Sequence, residues 1–215
     1  MEKKIQTLIL DLGGVIFDLD YMATPRAFEA LGVKSFETAF SKAKQHQLFD
    51  LFEKGLITES AFYEGIRNFT GTELDDHQIE QAWNAMLLGI PHQRFDLLRK
   101  LAGKFRLFLL SNTNEIHIRN FSNELQQRYG SHLLEDIFLK CYYSSRMGMR
   151  KPDKEIFERV LHENHIDRSG ALFIDDSPQH ARGAIMAGLP ALHLELEKGD
   201  SLEQMCGRLF PDILS

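Results

Sequence analysis

Short apolar runs alternate with helix-like stretches through the second half of this chain of 215 residues. Each run is rich in aliphatic and aromatic residues and too short for a buried helix, which is the pattern of a strand. The runs are 107–110, 137–143, 171–174 and 191–194, with an earlier one at 5–11. Strands that alternate with helices predict parallel β-α-β units. The sequence therefore predicts an α/β fold, a doubly wound parallel sheet.

Residues 21–101 show a different pattern, in which apolar residues recur at every third or fourth position. This spacing is typical of a buried helix face, and no strand pattern is visible there. Members of the set include Phe28, Phe36, Phe40, Phe62 and Trp83. Because one strand precedes this block and the alternation follows it, we expect an inserted domain above the strand ends. The predicted division is a core of residues 1–16 and 96–215 with a helical cap of residues 17–95.

Polar residues stand where three of the predicted strands end, and a lysine precedes the Pro152 that begins a predicted helix. Ligands of open α/β sheets bind outside the carboxyl ends of the strands, so we expect these residues to meet. Carboxylate oxygens suit Mg²⁺, and hydroxyl or backbone N–H groups at a strand end can bind phosphate. The set consists of Asp11, Ser111, Asn112, Lys151, Asp175 and Asp176. We predict one site that combines carboxylate, hydroxyl and ammonium groups.

Four segments, in this order along the chain, resemble the motifs of the haloacid dehalogenase-like hydrolase superfamily. They are Leu10-Asp11-Leu12-Gly13-Gly14-Val15, Leu110-Ser111-Asn112-Thr113, Lys151-Pro152 and Asp175-Asp176-Ser177. The helical insertion is similar to the small cap that follows the first motif in one subclass. Within that subclass, Gly148-Met149-Arg150-Lys151-Pro152 and Ser111-Asn112-Thr113-Asn114 are especially similar to bacterial α-D-glucose-1-phosphate phosphatases.

The resemblance implies a Mg²⁺-dependent phosphatase for a small phosphomonoester, with a sugar phosphate such as glucose 1-phosphate favoured. A carboxylate that attacks a phosphate dianion meets like-charge repulsion, which a divalent cation and a fixed ammonium group relieve. The implied catalytic residues are Asp11, as the nucleophile that forms an aspartyl-phosphate, and Lys151. Ser111, Asn112 and Lys151 would bind the substrate. The implied Mg²⁺ ligands are Asp11, the Gly13 carbonyl, Asp176 directly and Asp175 through water.

One position departs from the family pattern. Most phosphatases of the superfamily carry a second Asp two residues after the nucleophile, where it serves as general acid, but this chain has Gly13. General acid catalysis contributes roughly 10²- to 10⁴-fold in rate. The sugar-1-phosphate phosphatases that resemble this chain share the glycine. We hypothesise that Asp18 or Asp20 supplies a carboxylate that replaces the missing general acid.

Two other functions remain open from the sequence. A 2-haloacid dehalogenase needs neither the acid nor Mg²⁺, so Gly13 would be expected in one, although the Asp175-Asp176 pair argues against it. A non-catalytic ligand-binding protein of the same fold would also tolerate the missing acid. Ser177 has a simpler interpretation as a helix cap before Pro178.

The composition of the chain limits which binding partners and which cellular compartment we expect. The chain has 25 basic and 31 acidic residues, a formal charge of −6, which is opposite to the basic surface that nucleic acid requires. No apolar stretch approaches the ~18 residues of a membrane span, and none near the start resembles a signal peptide. Cys141 and Cys206 form no paired motif. We expect a cytoplasmic monomer or small homo-oligomer whose partner is a small phosphorylated molecule.

Overall fold

A computed structural model describes residues 4–34, 36, 47–130 and 133–214. Its main sheet has the strand order β5-β4-β1-β6-β7, and every neighbouring pair is parallel. A second, two-stranded sheet pairs β2 with β3. The strands are β1 (Thr7–Leu10), β2 (Asp18–Leu19), β3 (Leu87–Gly89), β4 (Arg106–Ser111), β5 (Lys140–Tyr143), β6 (Ala171–Asp175) and β7 (Ala191–His193). The predicted α/β class, with a doubly wound parallel sheet, is confirmed.

Helices connect these strands. They are α1 (Ala23–Ala30), α2 (Leu48–Glu53), α3 (Glu59–Thr70), α4 (Asp76–Asn84), α5 (His92–Ala102), α6 (Glu115–Tyr129), α7 (Leu133–Ile137), α8 (Ser144–Met147), α9 (Lys154–Glu163), α10 (Pro178–Met186), α11 (Leu202–Leu209) and α12 (Pro211–Leu214). Two 3₁₀ turns lie at Arg168–Gly170 and Leu196–Lys198. No helix in the ranges given above is long and apolar enough to span a membrane.

Strand β1 lies at the centre of the main sheet and is buried on both faces. Leu8 and Leu10 belong to one apolar cluster, whereas Ile9 between them belongs to the cluster on the opposite face. Burial on both faces explains why these strands appear in the sequence as continuous apolar runs. Leu10 is in register with Leu109 of β4 and Ile174 of β6. The residues that follow these three positions therefore share one edge of the sheet.

Helices α1 to α4 pack around a third cluster, which is rich in aromatic rings. Phe28 and Phe62 are fully buried in it, and Ile116 of α6 joins it from the main domain. The helical pattern read in this part of the sequence is confirmed for these helices, whereas Phe40 lies outside the described residues. The division at residues 17 and 95 stays a prediction.

The structure corrects two expectations about strands. Leu87–Gly89 lies in the largely helical block, where no strand pattern is visible, yet it pairs antiparallel with Asp18–Leu19. A strand of three residues is too short to show a period of two, so the sequence carried no signal for it. The predicted run 137–143 begins too early, because Ile137 ends α7 and strand β5 starts at Lys140.

The turn between β6 and α10 follows its local sequence. The Ser177 side chain accepts a hydrogen bond from the His180 backbone N–H, and Pro178 occupies the first turn of the helix. A serine cap followed by proline satisfies an otherwise free N–H and needs none from the proline. The helix-cap interpretation of Ser177 is confirmed, and the cap fixes the direction of the chain immediately after Asp175 and Asp176.

Candidate active site

A cavity of about 870 Å³ lies between the carboxyl ends of the main strands and helices α1 to α4. Both parts of the molecule contribute walls. From the main domain these include Asp11, Gly13, Ser111, Asn112, Asp176 and His180. Lys151 and Asp175 are fully buried and contact this group. The fold therefore brings together all the site residues predicted from the sequence.

Asp11 follows the central strand and is only 6% exposed. Its backbone N–H donates to the Ile174 carbonyl at 3.0 Å, which holds it against β6. The Lys151 ammonium lies 2.7 Å from Asp11 Oδ1. Burial raises the pKa of Asp11 although Lys151 opposes this shift. Further positive charge near the carboxylate would therefore favour its ionised form.

Lys151 uses all the hydrogen-bonding capacity of its ammonium group. Its Nζ donates to the Leu110 carbonyl at 2.9 Å and to Asp175 Oδ2 at 2.6 Å, and it pairs with Asp11. An ammonium group has three N–H donors, so all three have a partner. Burial disfavours the charge, but the two carboxylates outweigh it and raise the pKa of Lys151. The lysine is a fixed cation beneath Asp11.

Asp175 supports its neighbours and offers little to a ligand. Besides Lys151, its carboxylate accepts from the Ser177 backbone N–H at 2.8 Å and contacts His180 Nδ1 at 3.0 Å. Burial would raise the pKa of Asp175, but Lys151 and His180 outweigh it and hold the value at about 2. Possible ligand atoms of Asp11, Asp175 and His180 lie within 4.8 Å of one another. Hydrogen bonds already engage both oxygens of Asp175, which agrees with a role through water.

Asp176 lines the cavity and packs against the turn after Asp11. Gly14 in that turn has φ +74°, and a Cβ there would lie 2.3 Å from Asp176 Oδ2. Only glycine accommodates both the positive φ and this close approach. Burial and the neighbouring Asp175 charge raise the pKa of Asp176 to about 6. The glycine pair of the first motif therefore allows two acidic segments to meet.

The charges of this cluster fit a hard divalent cation. Two carboxylates, Asp11 and Asp175, share a single ammonium group, a third carboxylate, Asp176, lines the same cavity, and burial raises the pKa of both Asp11 and Asp176. Buried carboxylates in excess are costly unless a cation pairs with them. Their oxygens, with the Gly13 carbonyl in the same cavity wall, are the donor type that Mg²⁺ prefers. The residues present therefore fit the predicted metal.

Ser111 and Asn112 occupy different positions relative to the predicted phosphate site. Ser111 is the last residue of β4 and lines the cavity. The Asn112 side chain instead joins two segments: its Nδ2 donates to the Lys151 carbonyl, and its Oδ1 accepts from the Lys151 N–H, both at 2.9 Å. The Asn112 amide therefore positions the Lys151 backbone, and the Asn112 backbone N–H is the group that we expect to face a phosphate.

The hypothesis that Asp18 or Asp20 replaces the missing acid is wrong for this arrangement. Neither belongs to the cavity walls. Asp18 accepts from the buried Arg94 at 2.7 Å, and Asp20 pairs with Arg26. The Arg26 contact lowers the pKa of Asp20, so its carboxyl group rarely carries a proton to donate at neutral pH. Spacing after the nucleophile suggested Asp18 and Asp20, but both carboxylates pair with arginines outside the cavity, although Leu19 between them lines it.

Three residues of the site were not predicted. His180 reaches Asp175 from the first turn of α10. Arg150 lies 3.0 Å from Glu53, and both line the cavity. In the sequence, Arg150 stood out only as a member of the Gly148-Met149-Arg150-Lys151-Pro152 segment, and in the structure its side chain is 23% exposed. No local pattern reveals such contacts, because α2 and the loop that carries Arg150 are far apart in the sequence.

Comparison with known proteins extends these observations. Residues 5–188 match the family model of haloacid dehalogenase-like hydrolases. The D-ribitol-5-phosphate phosphatase of Bacteroides thetaiotaomicron is 30% identical over 177 residues, which cover 80% of this chain and 83% of the relative.

Solved structures show the same similarity. A haloacid dehalogenase family enzyme from B. thetaiotaomicron, in complex with magnesium and inorganic phosphate, superposes with a TM-score of 0.78 at 36% identity, over 89% of this chain and 94% of the other. A hydrolase of the same type from Porphyromonas gingivalis gives a TM-score of 0.81 at 28% identity and covers 98% of both chains. The superpositions extend over both the sheet and the inserted helices.

Proposed function

Since the chain belongs to the haloacid dehalogenase-like hydrolases, we propose that it is a Mg²⁺-dependent phosphatase that hydrolyses a small phosphomonoester through Asp11. The observation that carries this proposal is the position of Asp11. Its carboxylate follows the central strand, lies 2.7 Å from a fully buried ammonium group and faces the same cavity as Asp176. The related structure with magnesium and phosphate supports both the ion and the phosphate.

The proposed reaction has two steps. A carboxylate oxygen of Asp11 forms a bond to phosphorus while the bond from phosphorus to the leaving alcohol breaks, which gives an aspartyl-phosphate. Water then attacks the phosphorus, releases inorganic phosphate and regenerates Asp11. Lys151 holds Asp11 in place and offsets its charge. The Ser111 hydroxyl and the Asn112 backbone N–H donate to phosphate oxygens.

We propose that Mg²⁺ binds Asp11, Asp176 and the Gly13 carbonyl, with Asp175 acting through water. Mg²⁺ held by these residues would supply Lewis-acid charge that offsets the repulsion between the carboxylate and the phosphate. Asp175 keeps Lys151 and His180 oriented toward this place. The protein residues alone leave an excess of negative charge there, which is why we expect activity to depend on the ion.

A sugar or polyol phosphate is the proposed substrate. The relative that hydrolyses D-ribitol 5-phosphate supports this class, and the predicted glucose 1-phosphate belongs to it as well. The cavity of about 870 Å³ has ample room for either. We propose a small soluble phosphomonoester as the partner of the chain. The cytoplasmic setting, the monomeric or small homo-oligomeric state and the exclusion of nucleic acid stay predictions.

A 2-haloacid dehalogenase is the second candidate, because Gly13 removes an acid that dehalogenation does not need. Asp176 argues against it, since a dehalogenase has no use for a second cavity carboxylate that would repel an acid substrate. Such an enzyme would release halide from a 2-haloacid in the presence of EDTA.

The test is phosphate release from a panel of sugar, polyol and aryl phosphates, with halide release from 2-haloacids measured in parallel. We expect turnover that EDTA abolishes and Mg²⁺ restores, and none in Asp11→Asn. Halide release without Mg²⁺ would support the dehalogenase instead. Folded protein that binds phosphomonoesters and releases neither product would support the non-catalytic alternative.

A further inference from the structure

The cap side of the cavity is an apolar wall that contains several polar atoms without hydrogen-bond partners. Phe36, Phe49, Met86 and Leu87 contribute much of the wall. Among the described residues, Glu53 Oε2, Trp83 Nε1 and Arg150 Nε are buried and have no hydrogen-bond partner. All three residues line the cavity. Buried polar atoms without partners destabilise a folded protein, so their presence in one cavity suggests that a ligand pairs with them.

Trp83 is held so that only the edge of its indole ring remains available. Phe49 stacks on one side at 5.3 Å between centroids, and His117 stacks at 5.4 Å. The Trp83 carbonyl accepts from the Thr24 hydroxyl at 3.2 Å, which fixes the backbone. Trp83 is 8% exposed. With its faces against Phe49 and His117, the side chain has its indole N–H as the group to offer a ligand.

Helix α2 carries Glu53 on the same side as the ring that stacks on Trp83. Phe49, which stacks on Trp83, is four residues before Glu53, so the two lie on the same face of the helix. Arg150 Nη2 lies 3.0 Å from Glu53 Oε2, an ion-pair distance, but without the alignment of a hydrogen bond. Glu53 therefore keeps an oxygen that can accept a hydrogen bond from a ligand.

This part of the cap is fixed relative to the phosphate end of the cavity. Arg150 directly precedes Lys151 and also pairs with Asp50 of α2. Gly55, at φ +64°, lies so close to the main domain that a Cβ would be 2.0 Å from the Ser145 carbonyl oxygen. A group bound at Glu53 therefore has a set position relative to Asp11.

We infer that Glu53 Oε2, Trp83 Nε1 and Arg150 Nε form a hydroxyl-binding subsite that selects phosphomonoesters of hydroxyl-rich alcohols over those of alkyl alcohols. A hydroxyl group both donates and accepts, so it can donate to Glu53 and accept from Trp83 or Arg150. The inference rests on the proposed function, since the hydroxyl belongs to the leaving group of the phosphatase reaction. An alkyl chain would leave all three polar atoms unpaired.

The experiment compares kcat/KM for a pentitol phosphate and for n-pentyl phosphate, which has the same number of carbons without the free hydroxyls. Trp83→Phe removes the N–H and keeps an aromatic ring between Phe49 and His117, and Glu53→Met removes the carboxylate at similar length. For each we expect a loss of about 10-fold or more on the pentitol phosphate, mainly in KM. On pentyl phosphate we expect no more than about a twofold change.

Glu59→Met is the matched control, because Glu59 is also a cap carboxylate paired with an arginine, Arg119, but does not line the cavity. It should leave the ratio of the two kcat/KM values unchanged. Urea unfolding of each variant checks that it is folded. Equal losses on both substrates, or no wild-type preference for the pentitol phosphate, would overturn the subsite and leave the phosphatase standing. No phosphate release from any ester would overturn both.

Discussion

The two walls of the cavity are built on different principles. On the main-domain side, charged groups have several partners each: Lys151 contacts three oxygens, and Asp175 contacts Lys151, Ser177 and His180. On the cap side, aromatic rings pack against one another and leave polar atoms such as Trp83 Nε1 unpaired. The main-domain wall lacks only a cation to balance its carboxylates, whereas the cap wall lacks hydrogen-bond partners for its polar atoms.

This difference indicates which wall acts on the phosphoryl group and which wall acts on the leaving group in the proposed reaction. A fixed cluster of charges suits the phosphoryl group, which is the same in every substrate and needs little reorganisation of the protein. An apolar wall with a few polar atoms suits a leaving group, whose identity those atoms can distinguish. Substitutions on the main-domain side should therefore affect all substrates alike, and substitutions on the cap side should affect them unequally.

The largest expected effect is that of Asp11→Asn. Removal of the nucleophilic carboxylate should lower kcat on the order of 10⁴-fold or more for every phosphomonoester, measured by phosphate release. Asp18→Asn is the control, since Asp18 is a nearby carboxylate held by Arg94 outside the cavity. It should change kcat by less than about threefold. A comparable loss in both variants would contradict the assignment of Asp11.

Lys151→Ala should reduce both turnover and stability. Loss of the buried ammonium leaves Asp11 and Asp175 without their shared partner, and breaking such a pair costs about 3 kcal/mol in the free energy of unfolding. We expect kcat to fall on the order of 10²-fold. Urea denaturation and phosphate release measure the two effects.

Lys54→Ala provides the comparison, because Lys54 joins the exposed Asp153 at 3.2 Å. Such a surface pair contributes at most about 1 kcal/mol. If Lys151→Ala were no more destabilising than Lys54→Ala, the charge cluster would not be what holds the main-domain wall together.

Asp176→Asn should chiefly weaken the dependence on Mg²⁺. Loss of one carboxylate from the proposed ligands should raise the Mg²⁺ concentration for half-maximal activity by about 10-fold or more. A titration of activity against Mg²⁺ measures this, with Asp200→Asn as a control that removes a partly buried carboxylate paired with Arg208 outside the cavity. An unchanged titration in Asp176→Asn would rule out Asp176 as a ligand.

The smallest expected effect concerns His117, which connects the two walls through its contact with Trp83. Burial lowers the pKa of His117 to about 4, whereas a histidine in the unfolded chain has a pKa of about 6.5. Between these values the unfolded state binds more protons, so the free energy of unfolding falls as the pH falls. Its contribution is complete above about pH 6.5 and is lost toward pH 4.

The corresponding experiment compares wild type with His117→Phe in urea at pH 7 and pH 4.5. The wild type should lose about 2 kcal/mol more stability than the variant over this range. Phenylalanine keeps a ring against Trp83 but cannot take up a proton. Parallel losses in the two proteins would show that His117 is not buried in its neutral form.

The sequence was informative where chemistry and local structure coincide. Asp11, Ser111 and the Asp175-Asp176 pair follow continuous apolar runs, and parallel strands bring such ends to one edge. The fold class and the proximity of these residues could therefore be predicted. Asp18 failed as a candidate acid because nearness in sequence does not say which side chains after Gly14 face the cavity and which, like that of Asp18, pair elsewhere. Glu53, Arg150 and His180 were missed because their contacts join separate segments.

The sequence by itself determined the alternation of strands and helices. It also determined which acidic, hydroxyl and lysine residues stand at the strand ends, because strand burial and turn chemistry act over a few residues. The tertiary structure decided three other features: which oxygens share Lys151, where Asp176 meets Gly14, and which cap atoms have no hydrogen-bond partner. These depend on side-chain packing between segments that are far apart in the sequence, such as Asp50 and Arg150, which are separated by 100 positions, and no local pattern records such packing.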